Sequence, residues 1–280
     1  METGIKARKL VNDIKWAMES KHVSAVVLRV DSPGGDALAS DYIAEVMHQF
    51  KGKKPIIVSQ GAVAGSGGYW LSMYGDTIVA APGTITGSIG VISSWIYDKG
   101  LKDTLGINVD LVKKGKFADF GYPFMLPIIP IGLPLNPLDN EQKDILEKYI
   151  MNSYEMFTKK VAEGRNVPVD EIKEVAQGRI WSGLDGKEKK LVDVIGGLQD
   201  AINIAKEKAG ITNDEKVQII QLPRPEFNLS LSLLGMIGVD TEMFKSKENI
   251  LLNSVKMRLE NNGKPMFTVP VEFYDQVIWK

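Results

Sequence analysis

The chain has 280 residues, 44% hydrophobic and 25% charged, with 34 Lys and Arg against 35 Asp and Glu. That length suits one large α/β unit with an appendage, and the near-neutral charge gives no bulk attraction to nucleic acid or an anionic membrane. The absence of cysteine excludes thiol catalysis, disulfides and thiolate metal sites and is compatible with cytoplasm, periplasm or outer surface.

The first residues, Met1 to Lys9, carry no hydrophobic signal core. Apolar residues at Leu10, Val11, Ile14, Ala17 and Met18 predict a helix over 6–20. A buried strand follows at 24–30, then the turn Asp31-Ser32-Pro33-Gly34-Gly35-Asp36-Ala37 and a helix over 38–50. His22 in the connector and His48 on that helix are the two histidines, and lone surface histidines are expected to be solvated rather than members of a triad or a metal site.

The run Ile56-Ile57-Val58-Ser59-Gln60 continues through Gly61-Ala62-Val63-Ala64 into Gly65-Ser66-Gly67-Gly68-Tyr69-Trp70. It reads as a buried strand turning sharply into a helix, with Ser66 at the turn. Glycines there permit positive φ and close approach, and the opening of a helix presents N–H groups that can stabilise an oxyanion. The bland alternative is a tightly packed turn with no chemistry. The pattern also departs from the G-x-S-x-G elbow, because position 64 is Ala and Gly65 directly precedes the serine. Two strand–glycine turn–helix units about thirty residues apart predict parallel strands with both loops at one sheet edge, where α/β sites form.

Thr77 to Pro82 reads as a strand, and 84–94 as a second glycine-rich passage containing Ser88, whose ordinary role would be to satisfy a local turn. A helix is expected over 95–105 and a strand over 107–112, ending at Lys113, Lys114 and Lys116, by themselves a solvated charge run. Phe120 to Leu138 is 19 residues without a charge, but prolines at 123, 127, 130, 134 and 137 forbid a spanning helix. An apolar loop for groove lining, subunit contact or a membrane surface is expected instead. Asp139, with Gln142 three residues on, caps a long helix ending at Asn166-Val167-Pro168. Shorter elements follow at 169–176, 179–181, 183–191 and 198–209, and a strand is expected at 217–222. The domain reading is a core over 1–212 and an extension over 213–280 that packs on the core or a neighbouring subunit.

Several ordered motifs together resemble one family. Ser32-Pro33-Gly34-Gly35, Ala64-Gly65-Ser66-Gly67-Gly68-Tyr69-Trp70 and Thr86-Gly87-Ser88-Ile89-Gly90-Val91 are followed by Val161-Ala162-Glu163-Gly164-Arg165, Gly178-Arg179-Ile180-Trp181-Ser182-Gly183 and Lys190-Leu191-Val192-Asp193. Over residues 5 to 210 the chain resembles the signal peptide peptidase A (protease IV) family of the Clp-protease/crotonase superfamily. The resemblance implies an α/β fold built as a spiral of ββα units. It implies a serine peptidase for hydrophobic peptides such as cleaved signal peptides, with Ser66 as nucleophile, Gly34 and Gly67 as oxyanion donors, and Ser88 helping to hold a catalytic lysine. Homo-oligomers, and a membrane-associated place on the extracytoplasmic face, are implied as well. No metal or organic cofactor is, and Arg29 and Asp31 read as structural. Family members usually begin with a membrane anchor and an earlier strand, so by this resemblance the chain looks truncated, or like the later half of a longer protein.

One departure bears directly on mechanism. Single-domain members resemble Ser-Gly-Lys-Tyr-Lys where this chain has Lys114-Gly115-Lys116-Phe117-Ala118, and the family's general base matches Ala118. Lys116, two residues away, would share a strand face with it but be displaced by ~6.6 Å. In the long form of the family one half supplies the lysine and the other the serine, and the serine-bearing half resembles Phe117-Ala118-Asp119. Some short members also carry a lysine-free segment. The base is therefore expected from another domain or subunit, with Lys116 as the candidate within the chain. The alternatives are a silent assembly subunit and, with the same oxyanion geometry, a crotonase-like acyl-CoA enzyme.

Overall fold

The computed structural model describes residues 7–97, 100–104, 106, 112–120, 124–125, 132–134, 136–212, 214–223 and 266–268. In the first half, α1 (Ala7–Glu19) precedes β1 (Val26–Ser32), β2 (Gly34–Asp36) and α2 (Ala37–Gln49). Then come β3 (Ile56–Gly65), α3 (Gly67–Ser72), β4 (Thr77–Ala80), β5 (Ile85–Gly87) and α4 (Leu101–Thr104). The pair β6 (Phe124–Met125) and β7 (Gly132–Leu133) lies within the proline-rich run, followed by α5 (Asn140–Arg165) and α6 (Val169–Val175). Last are β8 (Ile180–Trp181), α7 (Gly183–Glu188), β9 (Val194–Ile195), α8 (Leu198–Lys208) and β10 (Met266–Thr268).

The central sheet runs β8-β5-β3-β4-β9, with β1 also paired to β3. The β1, β4 and β5 pairings to β3 are all parallel, so the parallel expectation holds. Burial on both faces explains why β3 reads as a continuous apolar run rather than an alternation. Ile56 and Val58 join a core with Val11 and Ile14 of α1, Ile43 and Met47 of α2, Trp70 of α3 and Phe157 of α5. Ile57, one residue over, packs with Val79 and with Ala201 and Ala205 of α8. Arg29 donates to the Ser59 hydroxyl (2.9 Å) and the Gln60 carbonyl, and Asp31 accepts from the Val63 N–H, so both tie β1 to β3.

Two of the matched motifs meet in this scaffold. The Arg165 guanidinium, with a side chain only 7% exposed, pairs with the Asp193 carboxylate, which also accepts from the Ile78 N–H. Tyr69 donates its hydroxyl to the Leu191 carbonyl at 3.0 Å, and burial pushes that phenol far above its usual range, keeping it a donor.

Several expectations need correction. The turn after β1 contains a short strand, β2, because Gly34 and Gly35 extend into a pairing. The helix expected over 95–105 is present as the single turn α4. The strand expected over 107–112 lies, except for Val112, outside the described residues, and 114–120 after it form bends and turns, with the Ala118 N–H donating to the Gly115 carbonyl. Residues 217–222 form no strand. The capping box of α5 is present, Asp139 accepting from the Gln142 N–H at 2.8 Å and Gln142 accepting from the Asp139 N–H at 3.0 Å. Of the apolar positions on α5, Val161 is buried but Ile145, Tyr149 and Met156 are 39%, 52% and 42% exposed. Ile128, Ile129 and most of the extension lie outside the described residues.

Candidate active site

The end of β3 is the organising point. Gly65 pairs in parallel with Gly87 of β5, so Ser66 and Ser88 leave neighbouring strands at matching positions, one residue past the same pair. Strand spacing is ~4.8 Å. The Ser66 N–H donates to the Gly87 carbonyl (2.8 Å), and its carbonyl accepts from Trp70 N–H (2.9 Å), which starts α3. The Ser88 N–H donates to the Arg179 carbonyl at 2.8 Å. The Gly178–Gly183 motif therefore backs Ser88 through its main chain.

Both serines have positive φ, 54° for Ser66 and 49° for Ser88. A non-glycine residue held there costs about 1–3 kcal/mol, and such strain concentrates at functional sites. At Ser66 it is not offset by capping, since the side chain makes no cap hydrogen bond to α3. The Ser66 hydroxyl instead points to the Gly90 carbonyl at a long 3.5 Å, and the residue is 1% exposed. Its geometry aims the hydroxyl away from the helix it precedes.

Gly34 and Gly67 are brought together at this point. A Cβ on Gly67 would stand 3.1 Å from Gly34 Cα and 2.8 Å from the Ser40 hydroxyl oxygen, so only glycine allows β2 and α3 to approach this closely. The Gly34 N–H donates to the Ser32 hydroxyl oxygen at 3.2 Å. One candidate oxyanion donor is thus engaged locally and must turn from Ser32 to serve a substrate. Sequence reasoning missed Ser32 and the Gly90 carbonyl, because a backbone acceptor or a hydroxyl inside a glycine turn leaves no distinctive residue pattern.

Gly68 provides a direct test of this packing. A Cβ there would overlap the Ser32 carbonyl oxygen, a backbone atom that cannot rotate away. Gly68→Ala is expected to destabilise the fold by about 1–3 kcal/mol, as overpacking does, read as a lowered midpoint in thermal or denaturant unfolding.

The candidate bases lie elsewhere. Lys116 forms an ion pair with Glu141, and its side chain is 64% exposed. Lys113 pairs with Asp119 at 2.7 Å, which holds that carboxyl below its usual range. Ala118 sits exposed in the turn between them. His48 stacks on Tyr74 with centroids 4.5 Å apart and faces Glu163 at 3.4 Å, and the His22 N–H donates to the Ser20 hydroxyl oxygen. Among the described residues no group of His, Cys, Asp and Glu is arranged to hold a metal.

Residues 48–212 match the family described as Peptidase family S49. The chain belongs to peptidase family S49. It is 39% identical over 242 residues to Serine protease SPPA, chloroplastic, of Arabidopsis thaliana, a match covering 85% of this chain and 34% of that protein. A putative protease of Methanocaldococcus jannaschii is 36% identical over 212 residues, 76% of this chain and 65% of the relative. A putative protease of Synechocystis is 32% identical over 265 residues, 93% of this chain and 90% of the relative. The chain therefore spans about a third of the chloroplast protein and just under two thirds of the archaeal one. S49 proteins have the Clp-protease/crotonase-like α/β fold, consistent with the parallel sheet and its flanking helices.

Proposed function

We propose that this chain is the serine-bearing part of an S49 peptidase that cleaves extended, apolar peptides such as spent signal peptides. The observation that carries the reading is Ser66, strained, uncapped and beside Gly34 and Gly67 where β3 turns into α3. In this mechanism the Ser66 hydroxyl oxygen attacks the scissile carbonyl carbon, and its proton passes to a lysine amine. The N–H groups of Gly34 and Gly67 receive the oxyanion. Collapse expels the amine leaving group, which takes the proton back, and water hydrolyses the acyl-enzyme through the same hole.

The lysine comes from another domain or subunit. A general-base lysine requires desolvation to bring its pKa towards ~7–8, whereas Lys116 faces solvent and is paired with Glu141. Ser88, beside Ser66 by register, is suited to hold the incoming amine. The exposed apolar side chains of Ile145, Tyr149 and Met156 on α5 favour assembly into an oligomer. The uncharged run 120–138 favours contact with apolar peptide or a membrane surface on the extracytoplasmic side, and no helix among the described residues is long and apolar enough to cross a membrane. Ile128→Asp with Ile129→Asp is expected to weaken oligomer mass or liposome binding by tenfold or more, since burying an added carboxylate costs several kcal/mol, while circular dichroism stays unchanged.

Ala118 and the engaged Lys116 also suit a silent assembly subunit, which the activity of the assembled protein separates from a peptidase. The assembled protein is expected to hydrolyse an extended apolar peptide and to leave acyl-CoA thioesters intact. Thioester turnover without peptide turnover would move the chain to the crotonase branch, and neither activity in the presence of a lysine-bearing partner would make it an assembly subunit.

A further inference from the structure

The strand β2, which carries Gly34, is already paired. β10 lies antiparallel to it in the register Met266 opposite Asp36, Phe267 opposite Gly35 and Thr268 opposite Gly34. The two form a sheet of their own, separate from the central one, so the pairing plays no part in building the core. β10 also runs beside α3, the helix that follows Ser66.

An extended peptide placed for attack by Ser66 needs its scissile carbonyl close to the Gly34 and Gly67 N–H groups. Antiparallel addition to β2 is the way such a peptide gains main-chain hydrogen bonds at that position. β10 presents the same kind of backbone, in the same direction, to the same three residues. In this arrangement Ser66 is 1% exposed and the Gly34 N–H is turned to Ser32. Resting on the peptidase reading above, we propose that Met266–Thr268 is a built-in competitor, a strand of the chain's own C-terminal extension that occupies the peptide-binding edge of β2 and keeps the site closed until it is displaced.

The competition has a natural strength. A strand tethered in the same chain competes at an effective concentration that dilution does not change, so it excludes weak peptides and yields to tight or abundant ones. Access is reduced to the fraction of time that β2 is vacant. Closure thus selects for substrates that outcompete three residues of backbone pairing.

The test uses the full chain in a Ser66→Ala background, so binding is read without turnover and without assuming that Ser66 is a nucleophile. The probe is a fluorescein-labelled synthetic peptide with the sequence of residues 263–271. Phe267→Pro removes an N–H and fixes φ in the middle of β10, which disrupts strand pairing. It is expected to raise probe affinity about tenfold or more over the Ser66→Ala parent and to speed amide exchange at residues 34–36 by a similar factor. The parent's exclusion of probe is expected to hold on hundredfold dilution, because a tethered competitor does not dilute. Equal affinity and equal exchange in the two proteins would overturn the proposal. Exclusion lost on dilution would overturn it too, by assigning the strand to a neighbouring copy. Peptide binding that follows this pattern in a protein without peptidase activity would sink the peptidase reading alone.

Discussion

Ser66→Ala lowers peptide turnover by the assembled protein about 10⁴-fold or more, the scale seen when a serine nucleophile is deleted, while stability changes little. The two halves of this expectation come from the same geometry. The hydroxyl makes one long contact, 3.5 Å to the Gly90 carbonyl, and caps nothing on α3. Its loss therefore removes at most about 1 kcal/mol of hydrogen bonding. The strained backbone is set by the Gly87 and Trp70 main-chain bonds rather than by the side chain, so alanine inherits the turn. A structural serine would show the opposite signature, lost stability with activity falling in proportion. Parallel measurement of kcat/KM and of the denaturation midpoint separates the two.

The second large effect concerns the base. The chain alone is expected to be nearly inactive, because a serine hydroxyl without a neighbouring base is almost wholly protonated at neutral pH. Adding a homologous lysine-bearing half is expected to raise turnover by about 10²–10⁴-fold, the range of general acid–base catalysis. Lys116→Ala is expected to change the reconstituted rate less than about twofold, since an exposed ion pair contributes little. Ala118→Lys in the chain alone is expected to recover far less than the added half, because residue 118 sits exposed in a turn held by Lys113 and Asp119. An ammonium there is not desolvated. Robust turnover by the purified chain, abolished by Lys116→Ala, would instead make Lys116 a relocated base.

The sequence shows the sheet well where burial dictates composition. The β-branched run of β3 and the 3.6-residue spacing of α1 are consequences of two buried faces and one buried stripe, and both emerge with nearly the expected ends. The serine turn was equally legible, because a sharp strand-to-helix reversal needs small residues on either side of Ser66. What was not legible depends on partners distant in sequence. The pairing of β10 with β2 joins residues more than two hundred positions apart, and three residues of Met-Phe-Thr carry no periodicity. The Gly90 carbonyl and the Ser32 hydroxyl act through positions fixed by the fold, not by side-chain type. The exposure of Ile145, Tyr149 and Met156 on α5 is likewise not legible, because their apolar spacing is that of a buried helix face and only packing reveals that they face outward in this chain.

The measurement that bears most directly on Ser66 is covalent. A fluorophosphonate probe reacts with an activated serine hydroxyl and passes over ordinary ones, and peptide mapping by mass spectrometry locates the adduct. In the protein assembled with its lysine-bearing partner, the account predicts a single adduct on Ser66, slowed in proportion when the partner's lysine is removed and absent in Ser66→Ala. An unmodified Ser66 in an assembly that hydrolyses peptide, or an adduct on Ser88 in its place, would contradict it.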